Sequence, residues 1–253
     1  MQIPGRMQVT LVSHYGPKSG KVLELVRVCQ ETLSKNLGAA FRPYEVEQVH
    51  GTIIGLEGQQ VGNTIQNQNS EKIALPNCAV DPNRLLQFLR TGLVSSLEIR
   101  VGGFRHDVNW GFTSQGSHPY LRSFSIQKEI AVAIGWPVQE GAFPLTLDGM
   151  RRSFNSLNVV HKWHQKPGDV DNDFFFALGR VDRRFVSDTQ VHAVEEHIRV
   201  LLAGLKDTTF PVNRNTLSIV GYLDAQLPAA TSCSFAINDP ELNPTRLLDL
   251  YVA

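Results

Sequence analysis

A histidine and a threonine two positions apart are the residues of this sequence best suited to chemistry. His50 and Thr52 lie in a short, largely apolar segment, residues 49–54. Because side chains alternate between the two faces of a strand, both should point to the same face and act on one ligand. A histidine can move a proton at a ribose oxygen, and a threonine hydroxyl can donate a hydrogen bond to a phosphate oxygen. The pair predicts acid–base chemistry at a phosphate ester, with a structural histidine in the core as the alternative.

The elements around this pair are predicted to be a strand, a helix and a second strand. Residues 7–13 alternate apolar and polar, which favours a half-buried strand. Residues 22–37 place apolar side chains on one helical face, and Gly38 is a typical helix end. Residues 46–56 are predicted as the strand that carries His50. The Gly-, Gln- and Asn-rich residues 55–70 indicate an exposed loop or loose hairpin.

The rest of the chain repeats this order loosely, without a short repeat or a composition shift that would mark a domain boundary. Apolar residues three to four apart predict a helix over residues 146–164, and three successive phenylalanines indicate a buried strand over residues 173–181. The other predicted helices cover residues 81–89, 127–134 and 191–205. The other predicted strands cover residues 97–101, 121–126, 216–223 and 232–237, with residues 107–120 irregular.

This order, with His-x-Thr on the second strand, resembles the first half of the two-histidine (2H) phosphoesterases. That family includes RNA 2′,3′-cyclic phosphodiesterases and the so-called 2′-5′ RNA ligases. The resemblance covers nearly the whole chain and implies an α+β fold of two pseudo-symmetric lobes, with antiparallel sheets around a central groove. It implies a single bilobed domain over residues 1–253, in which lobe one includes residues 7–57 and lobe two includes residues 146–223. In the family each lobe supplies one His-x-Thr/Ser strand, and one histidine acts as base and the other as acid.

The second lobe departs from the family pattern at the histidine. The best matching segment is residues 175–180, where Leu178, Gly179 and Arg180 fit the pattern but Phe175 and Ala177 replace the histidine and threonine. The closing segment over residues 216–219 also fits in part, and it too lacks a histidine. Either alignment leaves the second acid–base group missing. Arg180 and Ser218 remain candidates for phosphate contacts.

Two further histidines are candidates for the missing acid or base. His161 and His164 are three apart on the predicted helix, so they would share one face, and one could reach the groove. The alternative is structural, because Trp163 in the same turn suggests packing and histidines near a helix C-terminus interact favourably with its dipole. A metal site that adds Asp169 or Asp171 is disfavoured, since no clean ligand spacing appears. We expect no metal and no cofactor.

Composition limits the partners. The 24 basic residues balance the 24 acidic ones, whereas a protein that binds long nucleic acid by phosphate neutralisation normally has a basic excess. A small phosphorylated ligand, a nucleotide or a short RNA needs only a few local arginines. The Arg151-Arg152 and Arg183-Arg184 pairs could supply them, although solvated surface charge is the expected role of both.

The sequence also indicates where the protein works. No apolar run approaches the roughly 18–20 residues of a membrane-spanning helix, so we expect a cytoplasmic protein without a membrane partner. The three cysteines are widely spaced and are expected to be reduced thiols.

Three hypotheses for function follow from these features. The first is a metal-independent hydrolase of cyclic phosphodiesters or RNA-terminal ribose phosphates. The second is a catalytically impaired relative that binds a nucleotide or short RNA in the same groove. The third is a protein-interaction scaffold in which His50 is structural. Neither the substrate nor the oligomeric state follows from the sequence.

Overall fold

The computed structural model describes residues 7–73, 75, 78–93, 96–206 and 208–252. Its strands are β1 (Gln8–Ser13), β2 (Phe41–Pro43), β3 (Gly51–Gly55), β4 (Gly58–Val61), β5 (Thr64–Asn67), β6 (Ala79–Val80), β7 (Ser96–Val101), β8 (Phe124–Gln127), β9 (Ile130–Pro137), β10 (Phe174–Val181), β11 (Thr209–Asn213), β12 (Leu217–Tyr222) and β13 (Ser232–Ala236). Its α-helices are α1 (Gly20–Leu37), α2 (Gln68–Lys72), α3 (Pro82–Gln87), α4 (Pro119–Arg122), α5 (Thr146–Ser153), α6 (Asp188–Gly204) and α7 (Pro244–Asp249).

The strands pair antiparallel in two main sheets and one small sheet. The first sheet has the order β13-β12-β1-β3. The second has the order β11-β7-β9-β10-β2, and β8 also pairs with β9. The small sheet is β4-β5-β6 and follows the first-lobe strand β3 directly in the chain. This architecture confirms the predicted α+β class with antiparallel sheets.

Each main sheet contains a pair of antiparallel strands joined by a connection that includes a helix, and the two pairs share a local irregularity. In the first sheet β1 pairs with β3, and in the second β9 pairs with β10. The register of β3 shifts at Ile53, directly after Thr52. The register of β10 shifts at Leu178, directly after Ala177. In both strands the bulge comes directly after a residue singled out from the sequence, Thr52 in β3 and Ala177 in β10.

One core cluster underlies both sheets. Helix α1 buries five apolar side chains on its inner face: Val22, Leu25, Val26, Cys29 and Leu33. It ends at Gly38, whose φ of 53° is in the left-handed region that favours glycine. Helix α6 begins with a capping box at Ser187 and Gln190 and contributes to the same core cluster. Helices α1 and α6 therefore cover the second sheet, since α1 contacts β2, β10 and β11 and α6 contacts β8.

A buried arginine joins the two sheets where β3 approaches β10. Arg151 of α5 is 2% exposed. Its guanidinium donates to the carbonyls of Thr52 (3.0 Å) and Ile53 (2.9 Å) on one side. On the other side it donates to the carbonyls of Asp171 (2.8 Å) and Asp173 (3.2 Å) and pairs with the Asp171 carboxylate at 3.2 Å. The backbone carbonyls at the edge of β3 are thus hydrogen-bonded by a side chain. This edge is therefore not open where β3 meets β10, a junction that we call the seam.

Close backbone approach at this seam requires a glycine. A Cβ built at Gly51 would lie 2.0 Å from Cζ of Phe174. The first residue of β3 therefore lies directly against the first residue of β10. His50 precedes Gly51 and Phe175 follows Phe174, so the two predicted motif positions meet at the same seam.

Two predicted helices are wrong in whole or in part. Residues 127–134 form a tight turn at Lys128, with φ of 58°, and then the start of the central strand β9. Residues 146–164 form a helix only to Ser153, followed by a 3₁₀ turn to Leu157, and Asn158 ends it in the left-handed conformation with φ of 62°. His161 and His164 consequently lie in an irregular segment, residues 158–173, which we call the 158–173 loop.

The other differences are smaller. The polar stretch after β3 is not a loose loop throughout, because it forms the hairpin β4–β5 and helix α2, where Asn69 and Ser70 are buried. The predicted strand over residues 46–56 was wrong at its start, because residues 46–48 form a turn and β3 begins at Gly51, one residue after His50. The strands β2 and β11 and helix α7 were not predicted. None of the helices in the described ranges is both long and apolar enough to span a membrane.

Candidate functional site

His50, Thr52 and Ser218 are brought to one face of the first sheet. Val12 of β1 pairs with Thr52 on one side and with Ser218 on the other, so these three side chains form a row across the sheet. His50 lies two residues before Thr52 and is followed directly by β3. Both His50 and Thr52 are half-buried. The face therefore offers an imidazole and two hydroxyls that a ligand can reach.

The His50 imidazole is held in a defined tautomer by the backbone. Its Nδ1 lies 2.7 Å from the carbonyl oxygen of Gln48. A carbonyl only accepts, so Nδ1 carries the proton and the neutral ring presents an unprotonated Nε2. No residue in the described part of the chain forms a hydrogen bond with Nε2. The Tyr15 ring packs at its side, with ring centroids 6.0 Å apart.

Burial keeps this imidazole neutral. Loss of hydration lowers the pKa of His50 to about 4, the Gln48 carbonyl opposes the shift, and the charge of Lys18 adds to it. At pH 7 the ring is a neutral base with a free lone pair. That is the protonation state required to remove a proton from a hydroxyl.

Lys18 supplies a positive charge near His50. Its ammonium group donates to the carbonyls of Gly16 (3.0 Å) and Glu47 (3.2 Å). Burial lowers the pKa of Lys18 to about 8, and the carboxylate of Glu47 partly opposes this. The amine is still mainly protonated at neutral pH. It can attract an anionic ligand, and its pKa lies close enough to neutrality to release a proton.

A turn that contains Gln226 and Leu227 covers one end of this face. Leu227 belongs to the small apolar cluster of the face, and its carbonyl accepts from the Tyr15 hydroxyl at 3.1 Å. The Gln48 side chain donates to the carbonyl of Gln226 at 2.6 Å, and the Tyr44 hydroxyl contacts the Gln226 side chain. These bonds hold in place the turn over residues 46–48, whose Gln48 carbonyl orients the His50 ring.

The corresponding face of the second sheet is aromatic. Phe175 and Ala177 pair with Ile134 and Val132 of β9, and Phe175 is half-buried against the second-lobe aromatic cluster. That cluster consists of Phe104, Trp110, Phe112, Trp136 and Phe143. Where the first sheet presents the Thr52 hydroxyl beside the His50 imidazole, β10 of the second sheet presents a phenyl ring and a methyl group.

His161 and His164 are buried, and each is hydrogen-bonded to a carboxylate. They are 3% and 6% exposed. The Nε2 atom of His161 lies 2.7 Å from the Asp171 carboxylate, and that of His164 lies 2.8 Å from the Asp148 carboxylate. Burial lowers the pKa of both imidazoles despite these partners. Their Nδ1 atoms are buried without a hydrogen-bond partner.

The arginines of α5 complete this network. Arg151 pairs with Asp171, and Arg152 pairs with Asp148 at 2.7 Å. Burial is the largest effect on both carboxylates, but their partners outweigh it, so the pKa of Asp148 and of Asp171 is lowered and both are ionised. The expectation of solvated surface charge was wrong for Arg151, because five acceptors within the protein replace its water.

Arg180 lies on the second-lobe face but is already paired. Its guanidinium lies 2.6 Å from the Glu129 carboxylate, and both side chains are about half exposed. Such an exposed pair is weak and can exchange for a phosphate. The structure therefore separates the two phosphate candidates, since Ser218 is in the row with Thr52 and Arg180 is on the other sheet.

No group of three or more His, Cys, Asp or Glu side chains in the described ranges could hold a metal ion. Cys29, Cys78 and Cys233 are free thiols. Lys18 and Gln48 were not singled out from the sequence. The signal that could have found Gln48 is its position two residues before His50, where a turn can return its carbonyl to the ring.

Comparison with known proteins adds little. No protein-family model matches the chain, and no curated protein matches it. The solved structures that match include a conserved protein of unknown function, ATU0111, from Agrobacterium tumefaciens strain C58. The identity is 12%, over 88% of this chain and 82% of that chain, and the TM-score is 0.44. We base no argument on a similarity of this size.

Proposed function

We propose that this protein is a two-histidine phosphoesterase-like protein that binds a nucleotide or the ribose-phosphate end of a short RNA, with little or no hydrolysis. One observation is the main support: Thr52 and Ser218 flank Val12 on one face of the first sheet, with the half-buried His50 directly before β3, while Phe175 and Ala177 of β10 carry no acid, base or hydroxyl.

The first-lobe face has the groups that a phosphate ester requires on one side. The unprotonated Nε2 of His50 can accept a proton from a ribose hydroxyl or a water molecule. The hydroxyls of Thr52 and Ser218 can donate hydrogen bonds to phosphate oxygens, and the ammonium of Lys18 can offset their charge. These groups favour binding of a phosphorylated ribose and activation of a nucleophile.

Turnover needs a second group on the other side of the bond. The leaving oxygen must be protonated as the phosphorus–oxygen bond breaks, and a positioned acid typically contributes about 10²–10⁴-fold to the rate. The second lobe supplies no such group at Phe175 or Ala177, and His161 and His164 are engaged with carboxylates. Slow or undetectable hydrolysis is the expected consequence.

A metal-independent cyclic phosphodiesterase is the second candidate, and one observation favours it. Burial lowers the pKa of Lys18 to about 8, and this residue is near enough to affect the His50 pKa. Lys18 could therefore protonate the leaving oxygen while His50 acts as the base. In that case Lys18 replaces the second histidine.

The test measures binding and hydrolysis of nucleoside 2′,3′-cyclic phosphates and of short RNAs that end in a cyclic phosphate. Binding is measured by calorimetry in His50→Ala, Thr52→Val and the parent protein. His192→Ala is the matched control, because that histidine is 80% exposed on α6. We expect the first two variants to weaken binding about 10-fold or more and the control to leave it unchanged.

The outcomes separate the candidates. Fast turnover that both His50→Ala and Lys18→Met abolish would replace the binding function with the phosphodiesterase. Absence of binding to every member of the panel, with His50→Ala changing only stability, would reject both and favour the scaffold hypothesis.

A further inference from the structure

A cavity of about 850 Å³ opens on the second-lobe face beside the seam. Phe175 of β10 and Ser125 and Gln127 of β8 line it. Ser125 pairs with Val132, which pairs with Ala177 on its other side, so these side chains share the face on which Phe175 lies. The cavity thus occupies the second-lobe counterpart of the His50 face.

The walls of the cavity combine an exposed aromatic ring with cations. The 158–173 loop contributes Trp163, which is 58% exposed, with Lys162 and Lys166 on either side. The Lys162 ammonium lies 5.3 Å from the Trp163 ring centroid. Arg122 faces the cavity from α4, although its charge is paired with Asp173 at 2.8 Å. The lysines are the cations that a ligand can use.

The loop that carries this ring is irregular but firmly held. His161 and His164 anchor it through Asp171 and Asp148, and the backbone of Asp171 donates to Asp148 at 2.8 Å. The Asp169 carboxylate accepts from the backbone N–H of Lys166 at 2.7 Å. A large apolar side chain that is exposed on a rigid loop is typical of a preorganised binding surface, since little conformational entropy is lost when a ligand packs on it.

The strand that lines the cavity, β10, packs against β3, the strand that carries Thr52. Gly51 lies against Phe174 at the seam, and the next residue of β10, Phe175, lines the cavity. A ligand whose phosphate lies at His50 and Thr52 could therefore extend its other end over Phe175 toward Trp163.

We infer that this cavity binds the aromatic base of the nucleotide, with the base packed on Trp163 and Phe175 and the phosphate at His50 and Thr52. This inference rests on the proposed function and specifies its ligand. Bases of all sequences have a flat aromatic face, and packing on an aromatic side chain supplies affinity without strong sequence preference. The His161 and His164 pairs act as positioning residues, because they hold the loop and do not touch the ligand.

The experiment compares three probes by calorimetry: adenosine 2′,3′-cyclic phosphate, ribose 5-phosphate, which lacks the base, and adenosine, which lacks the phosphate. The variants are Trp163→Ala, Trp163→Phe and His50→Ala. Phe185→Ala is the matched control, since Phe185 is 72% exposed and has Arg184 5.6 Å from its ring centroid, as Trp163 has Lys162.

We expect Trp163→Ala to weaken binding of the cyclic nucleotide and of adenosine by about 5- to 150-fold, the range found for one stacked base. Trp163→Phe should retain most of the affinity, and Phe185→Ala should change nothing. Ribose 5-phosphate should bind more weakly than the cyclic nucleotide and should be insensitive to position 163.

Unchanged nucleotide affinity in Trp163→Ala, or equal affinity for ribose 5-phosphate and the cyclic nucleotide, would overturn the base cavity. If His50→Ala still weakened binding in that case, the phosphate site of the proposed function would be retained and only the base cavity would be rejected. If His50→Ala had no effect while Trp163→Ala did, the base cavity would stand and the phosphate site would be rejected. No binding of any probe would overturn both.

Discussion

At the scale of single residues, the His50 site depends on a backbone contact. A side-chain partner such as a carboxylate would raise the pKa of the imidazole, whereas the carbonyl of Gln48 fixes the ring with a smaller effect than burial has. The ring is thereby oriented and kept neutral at once. Thr52 and Ser218 add neutral hydroxyls, so the positive charge near the row comes from Lys18.

This arrangement predicts a low titration midpoint for His50. In an NMR titration of the eight histidines, the His50 ring should remain neutral through pH 5 and titrate near its pKa of about 4. Long-range nitrogen–proton spectra at pH 7 should show the proton on Nδ1. His50→Ala assigns the signal, and a midpoint above pH 6 would contradict the described environment.

At the scale of elements, the strand that carries Thr52 is held at the seam between the two sheets. Strand β3 is the edge of the first sheet, and α5 reaches it with a single side chain, Arg151. A buried guanidinium with four backbone acceptors and a carboxylate is fully satisfied. Its removal leaves the Asp171 carboxylate and the carbonyls of β3 without a partner in a dry environment.

Arg151→Met should therefore destabilise the protein by about 3–5 kcal/mol, the usual cost of breaking a buried ion pair. Urea denaturation measures the change in the free energy of unfolding. Arg184→Met is the control, because Arg184 is 81% exposed in its pair with Asp182, and it should cost less than about 1 kcal/mol. A loss below 1 kcal/mol for Arg151→Met would show that the seam does not depend on this residue.

Apolar periodicity and end signals decide which elements could be predicted from the sequence. The elements β1, α1, β10 and α6 were found because their apolar periodicity is long and their ends carry glycine or capping residues. Strand β9 was missed because both its faces are buried, so its apolar run has no alternation to separate it from a helix. Helix α5 was extended too far, because His161 and Val160 continue the helical spacing although Asn158 already ends the helix.

In the site too, positions set by neighbouring residues could be predicted, whereas contacts between residues far apart in the sequence could not. The strand position of Thr52 follows from the apolar residues around it, whereas His50 lies directly before β3. The match of Phe175 and Ala177 to His50 and Thr52 rests on Leu178, Gly179 and Arg180 and stays a prediction. The contacts of Arg151 cannot be read from the sequence, because its acceptors lie about 20 and about 100 positions away. Long-range pairing of this kind leaves no periodic signal.

At the scale of the whole molecule, four buried or half-buried histidines make the fold sensitive to acid. Burial lowers the pKa of His14 and of His50 to about 4 and also lowers the pKa of His161 and of His164. His14 and His50 are therefore neutral in the folded protein near pH 6, and folding shifts His161 and His164 toward the neutral form, whereas in the unfolded chain a histidine titrates near pH 6.5. The unfolded chain therefore binds more protons below that pH.

This difference predicts that stability falls as the pH is lowered from about 6.5 toward 4. Each histidine that is protonated when unfolded and neutral when folded steepens the fall by up to about 1.4 kcal/mol per pH unit, and above pH 7 its contribution is constant. Urea unfolding at pH 7.5, 6.0 and 5.0 measures the slope.

Because the double variant His161→Gln/His164→Gln lacks two of these groups, its slope should be smaller than that of the parent protein, even if it is less stable at every pH. His192→Ala, which removes a histidine that is 80% exposed, should keep the parent slope. An unchanged slope in the double variant would mean that His161 and His164 are protonated in the folded protein, and the loop that carries Trp163 would then be held by charged pairs.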